Sequence, residues 1–146
     1  MTRLTPHFTL EELTHSDTAT RLGIDNTPHE EAVKNLQILA EGLELVRTKL
    51  DGNAMRISSG FRSLELNRAL RSKDTSRHIM GLAADFSCPS YGTINDVMHA
   101  ISESSIEYDQ LIMEFNSWIH ISFPTTNEAP RRQTFVIDKS GVKSYT

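Results

Sequence analysis

Between residues 27 and 50 the apolar positions Ala32, Leu36, Leu39, Leu43, Val46 and Leu50 recur at steps of three and four. That spacing predicts one long amphipathic helix. Thr27 is the expected cap, Pro28 sits where a first-turn proline is tolerated, and Glu30 completes a capping box. The cluster Asp51-Gly52-Asn53 should stop it. Earlier, "TLEELTHS" pairs Thr9 with Glu12 as a second capping box and predicts a short helix. The N-terminal third therefore reads as helical. After residue 54 the period changes. "MRISS" predicts a short strand, "GF" a turn, and "SLELNRALRS" a helix capped by Ser63. "LAADFS" alternates Leu82, Ala84 and Phe86 against Ala83, Asp85 and Ser87, a period of two. "GTINDVMHAISES" returns to helical spacing through Ile94, Val97, Met98 and Ile101. "YDQLIMEF" and "WIHISF" read as two strands joined across Asn116-Ser117, and "TFVID" with "VKSY" as a last hairpin turning at Gly141. Helices first and a mainly antiparallel sheet afterwards define an α+β class, with residues 1–146 as one domain.

Composition narrows the choice of function. The 146 residues carry a formal charge of −4, which argues against the basic field of a nucleic-acid binder. Apolar runs are far short of the ~20 residues that a membrane helix needs, so no membrane insertion is expected. The opening "MTRLTPHFTLEELTHSD" lacks the pattern of a signal peptide, which points to a bacterial cytoplasm. Cys88 is the single cysteine, which excludes an intrachain disulfide and zinc-finger spacing. It reads as a packing residue. No coiled-coil seam or exposed apolar strip is evident, so a monomer is expected.

Any metal must then be held by histidine and carboxylate. His7, His15, His29 and His99 fall on capping, turn or solvent-facing positions. His78 and His120 differ. In "WIHIS" the period of two turns Ile119 and Ile121 to one face and Trp118, His120 and Ser122 to the other. An aromatic, an imidazole and a hydroxyl make a costly mixture to bury without purpose. His78 and Asp85 can reach the same place from a neighbouring segment. Two histidines and one aspartate with an open position suit catalytic zinc. The same residues also fit an Asp–His hydrogen bond beside an unrelated strand histidine.

"SRHIMGLAAD" fits the pattern Ser-x-His-x-x-Gly-x-Ala-x-Asp at Ser76, His78, Gly81, Ala83 and Asp85. "ISSGFRS" resembles a Ser-Gly-Tyr-Arg-Ser stretch, with Phe61 in place of tyrosine, and "YDQLIMEF…WIHISF" an Asp-Gln-x-Ile-x-Glu…Trp-x-His-x-Ser close. Together with "FTLEELTHSDTATRLGIDNTP" they resemble the M15 peptidases, the zinc D-Ala-D-Ala carboxypeptidases and phage peptidoglycan endopeptidases. The likeness runs from about Phe8 to Phe123.

The resemblance implies a Hedgehog/DD-peptidase-like fold with one zinc ion per chain, bound by His78, Asp85 and His120. It gives Arg62 to substrate and oxyanion charge, and Ser76 to orienting the first ligand segment or the substrate. Trp118 joins them as a substrate-binding residue. The general base is Glu114 or Asp109. Several relatives carry a glutamate three residues before the last histidine, where this chain has Ser117. Glu114 lies six residues before His120, an even separation that puts both on one face across a short loop. Asp109 is the alternative, or else a partner of a ligand histidine. Zinc would bring the pKa of water from about 15.7 towards ~7, and the carboxylate would move its proton to the leaving amine. The implied substrate is the peptide part of bacterial peptidoglycan, its stem peptides, in a phage-type enzyme that accumulates in the host cytoplasm. A zinc-containing but non-hydrolytic wall-peptide or phage structural module is the alternative. The stretches from Ser87 to Thr93 and "TTNEAPRR" are candidate groove walls.

Overall fold

The computed structural model describes residues 1–145. The chain is α+β, with a mixed but mainly antiparallel sheet. It opens with a two-stranded ribbon, β1 (Arg3–Thr5) and β2 (Phe8–Thr9), in a segment expected to be helical. Two short helices follow, α1 (Leu10–Thr14) and α2 (Asp17–Leu22). Thr9 caps the first as expected, accepting from Glu12 N.

The long helix α3 spans Glu30–Lys49. Ala32, Leu36, Leu39, Leu43 and Val46 are all fully buried along it, and Leu50 is buried just after it. Its cap is His29, whose Nδ1 accepts from Ala32 N at 3.1 Å, and not Thr27. The amide of Thr27 is already taken by Asp25 Oδ1 at 2.9 Å. The neighbouring Asn26 ties this segment to Phe61 O and Ser63 N, so the helix begins later. Asn35, on the buried face of α3, donates to Met80 O at 2.9 Å and thereby steadies the segment that carries His78.

The remaining elements are β3 (Arg56–Ser59), α4 (Leu64–Ala69), α5 (Arg77–Met80), β4 (Ala83–Ser87), α6 (Ile94–Ser102), β5 (Gln110–Glu114), β6 (Trp118–Ser122), β7 (Gln133–Asp138) and β8 (Gly141–Ser144). The large sheet has six strands in the order β3-β4-β6-β5-β7-β8. Every pairing is antiparallel except β5 with β7. β6 ends beside the start of β5, and residues 123–132 then carry the chain past that end. Arg132 N and Gln133 N bond to Tyr108 O and Asp109 O, so β7 sets out in the direction of β5. One sheet face, with Ala84, Phe86, Leu111, Ile119 and Ile121, joins α3 and α6 in a single core. The other face carries the polar residues expected to do chemistry. No helix is long and apolar enough to cross a membrane among the described residues.

Gly81 ends α5 at φ 78°. A β-carbon there would lie 2.8 Å from Ala32 O, so both backbone and space require glycine. Gly81→Ala is expected to lose about 1–2 kcal/mol to the left-handed conformation. Overlap with α3 adds a further ~1–3 kcal/mol. Urea unfolding of the two proteins measures the difference.

Candidate active site

Antiparallel residues that face one another share a sheet face. Asp85 on β4 is paired with His120 on β6, and on the other side of β6 the pairs are Ile112 with His120 and Glu114 with Trp118. The even separation of Glu114 and His120 thus puts both on one face, across the loop Phe115-Asn116-Ser117. His78 reaches the same place from outside the sheet. It sits on the single turn of α5, where Ser76 accepts from His78 N at 3.2 Å and fixes the start of the turn.

His78, Asp85 and His120 each offer a ligand atom, and these atoms lie within 4.8 Å of one another. Asp85 Oδ1 is 3.4 Å from His78 Nε2 and 3.0 Å from His120 Nδ1. The two imidazoles meet edge to face at 5.1 Å between centroids. His78 Nδ1 donates to Gly60 O at 2.7 Å, which leaves the Nε2 lone pair facing the cluster. That backbone contact is the support a metal-bound histidine usually has. Burial lowers the pKa of His78, outweighing the opposing pull of Asp85, so the ring is kept in the neutral form that binds metal. Burial penalises the Asp85 carboxylate, yet His78 and His120 more than offset it and hold the group ionised well below the usual carboxylate range. Two imidazole nitrogens and one carboxylate oxygen brought this close together fit a zinc ion.

Arg62 lies beside this cluster and is not a surface arginine: its side chain is 12% exposed, and Nη2 approaches Asp85 Oδ2 at 3.4 Å. The Asp85 carboxylate is therefore divided, one oxygen towards the histidines and the other towards Arg62. Glu114 is half-buried, with Oε2 accepting from Trp118 Nε1. Burial pushes its carboxyl up and the Asp85 charge adds to the effect, against the pull of His120, Trp118 and Arg62. A raised carboxyl is a better proton acceptor. Trp118 meets Phe115 at 5.8 Å between ring centroids, and its indole N–H holds Glu114.

Asp109 is placed otherwise. It is buried, and Arg131 takes both carboxylate oxygens at 2.8 and 2.6 Å, with Arg77 Nε 3.8 Å away. It hydrogen-bonds to neither His78 nor His120. Arg77 in turn grips Glu128 through two contacts of 2.8 and 2.9 Å, which brings the "TTNEAPRR" stretch against the helix carrying His78. The stretch from Ser87 to Thr93 instead leads into α6, and its Tyr91 packs against the core. Cys88 is buried, its thiol towards Ala54 O. His7, His15, His29 and His99 are all exposed. Sequence reasoning missed Gly60, whose carbonyl orients His78, and Ser59, Asn67 and Ser72, which surround Arg62. Ser59 and Gly60 stand inside "SGFRS" and were open to notice; Asn67 and Ser72 join Arg62 only in three dimensions.

An α+β domain that brings two histidines and an aspartate together beside a carboxylate and an arginine defines a candidate mononuclear metal hydrolase. A family model described as Peptidase M15 matches residues 6–122, and the chain belongs to that metallopeptidase family. None of the curated proteins matches it.

Proposed function

We propose that the chain is a zinc-dependent peptidase that hydrolyses the peptide part of bacterial peptidoglycan, as a D-Ala-D-Ala carboxypeptidase or an endolysin-type endopeptidase. The observation that carries this reading is the position of Glu114, on the sheet face of the His78-Asp85-His120 cluster, in a member of the Peptidase M15 family.

His78, Asp85 and His120 would hold the ion. When bound there, zinc supplies Lewis-acid polarisation of the scissile carbonyl and lowers the pKa of water. Glu114 Oε1, which has no hydrogen-bond partner among the described residues, takes the proton of the attacking water and returns it to the leaving amine. The Trp118 N–H holds the other oxygen and keeps the carboxylate in place. Arg62 donates to the carbonyl oxygen as charge builds on it. Its desolvated setting strengthens that contact, since little water competes for the donor.

The test is a digest of purified muropeptides followed by mass spectrometry, with chelator and with zinc restored. Cleavage that stops with chelator and returns with zinc is expected, and the product masses name the bond. Protein that holds zinc and leaves every muropeptide intact contradicts the proposal and favours a wall-peptide-binding module.

A further inference from the structure

Arg62 is held more completely than any other side chain at the site. Nε donates to Ser59 Oγ at 3.1 Å, Nη1 to Asn67 Oδ1 at 3.2 Å and to Ser72 Oγ at 3.1 Å, and Nη2 to Asp85 Oδ2 at 3.4 Å. A guanidinium carries five N–H donors in one plane. These contacts commit all but one, and the remaining Nη2 hydrogen has no partner among the described residues.

The socket is built from the far side of the arginine. Asn67 lies on the inner face of α4 and is fully buried. Its Nδ2 donates to Lys73 O at 2.8 Å. A carbonyl can only accept and a guanidinium can only donate, so the amide has a single workable orientation, with Oδ1 towards Arg62. Ser72 is delivered by the turn that ends α4. Arg71 N bonds to Arg68 O at 2.9 Å and Ser72 N to Asn67 O at 3.0 Å, while Arg71 stands at φ 59°, where glycine is usual. A non-glycine residue is strained there. The strained turn sets Ser72 Oγ 3.1 Å from Arg62 Nη1.

We infer that Asn67 and Ser72 are positioning residues that fix the guanidinium plane and leave one Nη2 N–H for a single substrate oxygen. The inference rests on the role proposed above for Arg62. One donor suits a carbonyl oxygen gaining charge, whereas a terminal carboxylate is normally gripped by two.

Arg62→Ala would leave Ser59, Asn67, Ser72 and Asp85 around a space for free guanidinium. Millimolar guanidinium chloride, compared with equal sodium chloride, is expected to raise the melting temperature of zinc-loaded Arg62→Ala and to restore its muropeptide cleavage at least tenfold. Adding Ser72→Ala, which removes one half-buried hydroxyl, should raise the guanidinium concentration for half-effect about tenfold or more, since a hydrogen bond to a charged group is lost. Asn67→Ser in the same background should shift it in the same direction. Equal guanidinium dependence with and without Ser72 overturns the inference, as does an Arg62→Ala protein that guanidinium neither stabilises nor reactivates. The melting readout needs no turnover. It therefore judges the socket even if wild-type protein leaves muropeptides intact, the result that would sink the peptidase reading instead.

Discussion

His120→Ala is expected to abolish both zinc retention and peptide cleavage while leaving the fold in place. His120 lies on the sheet face away from the core, between the fully buried Ile119 and Ile121, so the hydrophobic packing of β6 does not depend on the imidazole. What does depend on it is the donor set. Without it His78 and Asp85 remain, and the carboxylate also loses its 3.0 Å partner. Removing a mere supporting contact of a ligand costs about 10–100-fold in metal affinity, so removing the ligand itself should exceed that. Metal analysis after dialysis, with circular dichroism to confirm the fold, checks the result. A variant that keeps its full zinc content would remove His120 from the ligand set.

Glu114→Gln should do the reverse, keeping zinc and losing turnover. The glutamine oxygen can still accept from Trp118, so the hairpin geometry should survive. The side chain can no longer take a proton from water. General-base loss of this kind lowers kcat by about 10²–10⁴. Zinc content equal to wild type with kcat reduced on that scale is the expected pair of results. Unchanged kcat would shift the base elsewhere, and lost zinc would make Glu114 a ligand. Asp109 is a poor substitute, because Arg131 and Arg77 already surround its carboxylate and lower its proton affinity.

Much of this arrangement was legible in the chain because it is local or periodic. The apolar stripe of α3 and the even spacing of Glu114 and His120 report side-chain direction within one element or one hairpin. So does the alternation that turns His120 away from Ile119 and Ile121. Asp85 was visible as a charge inside an apolar strand, though its direct pairing with His120 needed the register of β4 on β6. The features that escaped are set by distant partners. The cap of α3 moved from Thr27 to His29 because Asp25 takes the amide of Thr27 and Asn26 is tied to the backbone of Phe61 and Ser63. The parallel placement of β7 follows from the route of residues 123–132 past β5, which no periodicity records. Arg62 was readable as a cation for substrate and oxyanion charge, but not how many of its donors the fold leaves free. Asn67 and Ser72, five and ten residues further on, occupy two of those donors.

His78, Asp85 and His120 are proposed to form one zinc site. Zinc K-edge X-ray absorption on the zinc-loaded protein tests it most directly. One zinc per chain is expected, with two imidazole nitrogens at about 2.0–2.1 Å and a carboxylate oxygen at about 2.0–2.2 Å. A sulfur shell near 2.3 Å, or fewer than two imidazoles, would contradict it.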